Sequence, residues 1–305
     1  MPFFESERYV LRKENIDNII QAIKNVGHCV IEKTWDINLV DYLYRISDQY
    51  FNCKDEAWFS GKMPDGELNQ YFGAFYDVFD AVSNDKFFNT IKDSCLPLLF
   101  NKMLNGKFVI MQNERSARRV DPKFPVRISG FHVDGQLSRL SSQGYHTQDE
   151  FTMWSPLRDA VDERTPRLLL LHQSENDNYL KINYDQVTDI GDKQNIPILA
   201  LSKLNLALEK NHSAEIITKR DKAYRVLFEK LKCYAPKLQK GDVILYDKSV
   251  WHSTYAPENF SNKMISLDFR IVGDHPPISD AGWGGKVFNI KKTFLGRNRV
   301  VVENY

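Results

Sequence analysis

Lys240-Gly-Asp-Val-Ile-Leu-Tyr-Asp-Lys-Ser-Val-Trp-His252-Ser253 opens on a turn, runs into an apolar strand, breaks at Lys248-Ser249 and resumes toward a lone histidine. Residues two apart in a strand share a face, so His252 lies with Val250 and Thr254 on the inward side. The chain then passes a polar hairpin, Pro257-Glu-Asn-Phe-Ser-Asn-Lys263, and returns through Met264-Ile-Ser-Leu-Asp-Phe-Arg-Ile-Val272. With the hairpin centred near Asn259 and Phe260, Arg270 is expected on the adjacent strand about one step past His252. Ser266, Asp268 and Arg270 share a face, which aims a polar row where an apolar core would be expected.

Upstream, the run Arg127-Ile-Ser-Gly-Phe-His132-Val-Asp134-Gly-Gln136 closes on a histidine, a spacer and an aspartate. The same period of two turns His132 and Asp134 to one point and Val133 away from it. A histidine and an aspartate at this spacing occur by chance in many chains. Joined to a distal Gly-Asp turn, a Trp-His ending and an arginine on the next strand, the pattern is far more specific. Two imidazoles and a carboxylate divided in this way can form the facial triad of a non-haem iron(II) oxygenase, with the remaining metal positions left open.

Composition narrows the field. At 305 residues the chain can bury a substantial core, and 42% hydrophobic with 27% charged residues is ordinary for a globular protein. With 41 basic and 40 acidic side chains the formal charge is +1, so no basic surplus points to nucleic acid or an anionic membrane surface. Cys29, Cys53, Cys95 and Cys233 form no Cys-x-x-Cys pair. They read as reduced thiols, not as a disulfide frame or a zinc site. The N-terminus lacks a basic segment followed by an apolar stretch, and no apolar run reaches membrane-spanning length. A cytoplasmic protein is the expectation.

The first hundred residues read as mainly helical. Ile16, Ile19, Ile20 and Ile23 mark one face of a helix stopped by Gly27, and Cys29-Val-Ile31 reads as a short strand. A second helix is expected over 37–51 and a third over about 85–104. From Phe108 onward the runs Phe108–Met111, Val126–Ile128, Phe151–Trp154, Leu168–Leu171, Val243–Tyr246, Val250–Thr254 and Ile265–Val272 are strand candidates, and together they suggest a jelly roll. The stretch 175–239 interrupts them, and so long a connection suggests a lid. The expected organisation is a single domain, 1–305. It has a helical N-terminal layer over 1–105, a jelly-roll core over 106–174 and 240–275, the insertion over 175–239 and a C-terminal segment over 276–305.

The chain resembles the iron(II)- and 2-oxoglutarate-dependent oxygenases, in the style of the phytanoyl-CoA dioxygenase-like branch. The resemblance rests on the Gly27-x-x-Val-Ile31 strand, His132-Val-Asp134, Phe151-Thr-Met-Trp-Ser-Pro-Leu157, Arg158 to Arg164 with the Pro166–Leu171 strand, and Lys240-Gly-Asp242 to His252. It implies a mainly β fold with flanking helices, the cupin-like double-stranded β-helix. It implies iron(II) held by His132, Asp134 and His252, with 2-oxoglutarate and O2 as co-substrates. It makes Arg270 the partner of the distal carboxylate of 2-oxoglutarate, a role suited to a bidentate guanidinium. Asn113, Thr152 and Ser266 are expected to line the co-substrate pocket.

The expected function is oxidation, by hydroxylation first, of a C–H bond in a small polar metabolite such as an amino acid, sugar or natural product. Oxidative cyclisation, desaturation or epimerisation would use the same cofactors. A jelly roll that binds a ligand without turnover is the reading from outside enzymology. An oxygenase of protein or nucleic acid is disfavoured by the neutral charge, and the sequence leaves the oligomeric state open. Arg115 is a second basic candidate near Asn113. His146 is the best of the other histidines as a substrate contact. Trp154 and Trp251 read as core aromatics, with Trp251 directed away from His252, and Trp283 as a loop anchor.

Overall fold

A computed structural model describes residues 10–59, 74–75, 84–104, 108–123, 150–171, 233–257, 260–273, 285–292 and 298–304. The expected strand over 126–128, the segment carrying His132 and Asp134, and all of the insertion before Cys233 lie outside these residues.

In chain order the strands are β1 (Val10–Arg12), β2 (His28–Glu32), β3 (Ala74–Phe75), β4 (Phe108–Val120), β5 (Glu150–Pro156), β6 (Arg167–Leu171), β7 (Cys233–Tyr234), β8 (Val243–Asp247), β9 (His252–Tyr255), β10 (Met264–Gly273), β11 (Gly285–Lys292) and β12 (Asn298–Asn304). The helices are α1 (Ile16–Val26), α2 (Ile37–Phe59), α3 (Asn84–Asp93) and α4 (Leu96–Met103). Among the described residues the larger sheet has the order β1-β2-β8-β5-β10-β4-β11-β12, with β3 against β4, and the smaller one the order β7-β6-β9.

Alternation along the strands separates two cores. Cys29, Ile31, Phe151, Met153, Val243, Leu245, Ile265, Leu267, Phe269 and Ile271 turn to one face of the larger sheet, where the helices cover them. Val30, Trp154, Ile244, Tyr246 and Met264 turn to the other and meet Leu168, Leu170 and Tyr234 from the smaller sheet, with Val250 just ahead of β9. Burial on both faces explains why these strands read as nearly continuous apolar runs. On the helix side, Phe269 packs edge-on to Phe87 at 5.9 Å and lies 6.0 Å from Trp35.

The helical layer differs from the sequence reading in three places. The expected helix over 85–104 is two helices, because Pro97 occupies the first turn of α4, where proline is well tolerated, while Ser94 caps the break. The Ser94 hydroxyl donates to the Ile91 carbonyl at 2.7 Å and accepts the Leu96 amide at 3.2 Å. Helix α2 runs on to Phe59, past the expected end at residue 51. The strand at Cys29 belongs to the larger sheet, pairing with β8 from His28 to Ile31, so the N-terminal layer also supplies sheet. Likewise β11 and β12 extend that sheet from the C-terminal segment.

Helix α1 buries Ile19, Ala22, Ile23 and Val26 and ends at Gly27, whose φ of 83° is left-handed and whose amide reaches the Ile23 carbonyl. Gly241 does comparable work before β8. Its φ is 95°, and its carbonyl accepts the amides of Thr34 at 2.8 Å and Trp35 at 3.0 Å. Asp242 completes the joint, accepting the Lys33 amide at 2.9 Å and the Gln239 amide at 2.8 Å. Burial pushes its carboxyl above the usual range, and those two amides pull the other way. The Lys-Gly-Asp turn thus fastens the start of β8 to the end of β2.

Candidate functional site

His252 begins β9. Leu168 pairs with Thr254 and Leu170 with His252, and both leucines belong to the core between the sheets. His252 therefore faces the larger sheet and is buried at 4% exposure. The strand starts two residues later than the sequence suggested, because Asp247, Lys248 and Ser249 form a tight turn. In it the Val250 amide donates to the Asp247 carbonyl at 3.0 Å. The turn brings the Val250 carbonyl to Nδ1 of His252, also at 3.0 Å. A carbonyl can only accept, so Nδ1 is the donor of this bond. Nε2 points to the Tyr246 hydroxyl at 3.4 Å, and the two rings lie 4.7 Å apart.

Tyr246 leads to the opposite wall. It pairs with Thr152, which in turn pairs with Arg270, so β8, β5 and β10 each place one residue in a single lateral row. Directly paired residues share a face of the sheet. Tyr246 belongs to the core between the sheets, hence Thr152 and Arg270 look the same way. Two strand spacings separate Arg270 from Tyr246, about 10 Å of sheet. Thr152 is buried at 3% and Arg270 at 8%. Continuing the row, His28 pairs with Tyr246 and stacks on Tyr234 at 5.5 Å, the place of a core histidine.

Arg270 has a carboxylate beside it. Glu150, two residues before Thr152 and opposite Val272, lies with Oε1 3.7 Å from an Arg270 terminal nitrogen. Asp268 is engaged elsewhere, accepting from the Ser116 hydroxyl at 2.6 Å and pairing with Arg118.

The other sequence candidates fall in different places. Ser266 is on the inner face of β10, four residues from Arg270 and so roughly 13 Å along the strand. The structure does not bring the two together. Asn113 lies in β4 within residues 111–114, which drop out of register where Phe269 pairs with Arg115 and Ile271 with Ile110. Trp154 is a core aromatic between the sheets, as expected. His132, Asp134, His146 and Trp283 lie outside the described residues. Among the described residues no group of three or more His, Cys, Asp or Glu side chains gathers to hold a metal.

Sequence reading missed Tyr246 and Glu150. Tyr246 reads as one more apolar residue of β8 until the fold sets it against His252. Glu150 had a faint signal, an acidic residue entering an otherwise apolar strand in step with Thr152.

No helix among the described residues is long and apolar enough to cross a membrane. No family model matches the chain, and no curated protein matches it in sequence. Among solved structures it is similar to the non-heme alpha-ketoglutarate-dependent epimerase SnoN from nogalamycin biosynthesis. That likeness has a TM-score of 0.50 at 10% identity, over 90% of this chain and 85% of that one. The alpha-ketoglutarate-dependent carbocyclase SnoK, also from nogalamycin biosynthesis, gives 0.49 at 11%, over 86% and 85%. EctD from S. alaskensis, solved with 2-oxoglutarate and 5-hydroxyectoine, gives 0.48 at 11%, over 83% and 74%. Two facing sheets, the larger backed by helices, and the likeness to SnoN identify the fold of this chain as a double-stranded β-helix.

Proposed function

We propose that the chain is an iron(II)- and 2-oxoglutarate-dependent oxygenase that oxidises a C–H bond of a small polar metabolite, with hydroxylation as the outcome. The observation that carries this reading is the state of His252. It is buried between the sheets, with Nδ1 fixed by the Val250 carbonyl and Nε2 turned inward. A metal-binding imidazole is held in this manner, the nitrogen away from the metal donating to a carbonyl. The fold shared with SnoN, itself named as alpha-ketoglutarate-dependent, supports the cofactor assignment.

In this reading His132, Asp134 and Nε2 of His252 would hold the iron, which supplies activation of O2 coupled to decarboxylation of the 2-oxo acid. The protein's share is orientation and exclusion of water. Arg270 binds the distal carboxylate of 2-oxoglutarate through its planar fork, and Thr152, next in the row, adds a hydroxyl donor. Trp154 and Val250 belong to the apolar core packed between the sheets. The segment ahead of Cys233 is read as a lid, and the protein as cytoplasmic.

Anaerobic titration of the apo-protein with iron(II), then 2-oxoglutarate, tests the assignment through the visible charge-transfer band of the chelate. The band is expected in the wild type, lost in His132→Ala and weakened in Arg270→Leu. Its absence from folded wild-type protein would overturn the reading and favour a jelly roll that binds a ligand without turnover. With a substrate in hand, product mass separates hydroxylation, which adds an oxygen, from cyclisation, desaturation or epimerisation, which do not.

A further inference from the structure

We propose that Glu150 is an internal competitor for the Arg270 guanidinium and so sets how tightly a five-carbon 2-oxo diacid is held; this rests on the function proposed above. The two side chains come from neighbouring strands in fixed register, with Arg270 opposite Thr152 and Glu150 opposite Val272, two pairs further along and so on the same face. Their charged atoms are 3.7 Å apart, and their side chains are 10% and 1% exposed. A carboxylate so buried keeps its charge by virtue of a cation beside it. In Glu150 the site carries, as part of the chain, the same functional group that the distal end of 2-oxoglutarate would bring.

The consequence is a sharing of one cation between two anions. While Glu150 neutralises Arg270, an incoming carboxylate gains less from the guanidinium, and it approaches against a like charge. Thr152 and Tyr246 extend the row toward His252, whereas Glu150 stands beyond Thr152, at the end of β5 where its carbonyl accepts the Lys248 amide at 3.1 Å. Glu150 therefore meets the guanidinium from β5, the strand that also carries Thr152, displaced from the row along the strand direction. Its role is to position Arg270 and to moderate its affinity.

Calorimetric titration of the iron(II)-loaded protein under anaerobic conditions tests this with two probes. 2-Oxoglutarate carries the distal carboxylate; pyruvate has the same 2-oxo acid head and lacks it. Glu150→Gln is expected to bind 2-oxoglutarate about tenfold more tightly with pyruvate binding unchanged. Glu150→Asp, whose shorter carboxylate draws back from the guanidinium, is expected to give a gain of roughly twofold to threefold and keeps the test alive if Glu150→Gln does not fold. Unchanged or weaker 2-oxoglutarate binding in these variants, or a gain shared equally by pyruvate, overturns the proposal and leaves Glu150 a purely structural partner. Arg270→Leu is the separate control. If it still prefers 2-oxoglutarate to pyruvate as the wild type does, the anchoring role of Arg270 fails, and the proposal for Glu150 with it.

Discussion

Replacing Arg270 with leucine tests the buried pair through stability alone, with no metal or co-substrate present. Opposite unit charges 3.7 Å apart attract by about 4 kcal/mol at an effective dielectric near 20. Breaking a buried pair by removing one partner costs about 3 to 5 kcal/mol, because the survivor keeps its charge without compensation. Arg270→Leu should therefore lower the melting temperature on the order of 10 °C. The double variant Arg270→Leu, Glu150→Leu removes both charges, and apolar replacements of buried pairs are often neutral or stabilising. It should recover most of that loss. Urea unfolding of wild type, both single variants and the double variant gives the coupling as a thermodynamic cycle. Strict additivity of the two single effects would refute the reasoning, since it would mean that the charges do not feel one another.

Tyr246→Phe removes a hydroxyl 3.4 Å from Nε2 of His252, a long contact worth little. Iron(II) affinity should stay within a few-fold of wild type, and a large loss by metal titration would make the hydroxyl a support of the site. Gly241→Ala puts a Cβ 3.0 Å from the Ile37 side chain and 3.3 Å from the Trp35 carbonyl, at a φ of 95°. A cost of about 1 to 3 kcal/mol in unfolding experiments is expected, and a neutral result would show that the turn can relax. Cys29 and Cys233 are buried, and burial pushes both thiols up, Cys233 to about 12, while Cys95 rises to about 11. Thiolate is the reactive form, so its supply grows only as pH climbs toward those values. Exposed Cys53 should take an alkylating label first in native protein, with Cys29 and Cys233 reacting on unfolding; peptide mass mapping decides.

Periodicity made much of the architecture legible. Alternation in Ile265–Val272 put Ser266, Asp268 and Arg270 on one face correctly, because a strand covered on both sides still sorts its residues by period. The Gly27 stop held for the same local reason, a left-handed residue that glycine adopts without strain. What sequence did not carry was lateral position: the strands of His252 and Arg270, expected as neighbours across a hairpin, lie in different sheets, β9 against β6 and β10 between β5 and β4. That Arg270 stands level with Thr152 and Tyr246, and Glu150 two pairs further on, depends on the register between strands far apart in the chain. Ser266 shares a face with Arg270, as period two requires, yet distance along the strand separates them. The split between α3 and α4 was written in Ser94 and Pro97, but the apolar pattern runs through the break and hides it. His132 and Asp134 rest on motif and resemblance; for His252 the proposal draws also on its burial and on the Val250 carbonyl at Nδ1.

The lateral row has a consequence for how errors in assembly would show themselves. Its members come from three strands, and a slip of one residue in β10 would exchange Arg270 for Phe269 or Ile271 on the inner face. The guanidinium would then enter the aromatic layer around Phe87 and Trp35, a place with no tolerance for charge. A mispaired sheet is thus penalised at the same position that would grip the co-substrate. Under the proposed function, binding of a dicarboxylic acid would then act as a proofreading signal, and a preparation's titratable fraction would measure how much of it had folded in the right alignment.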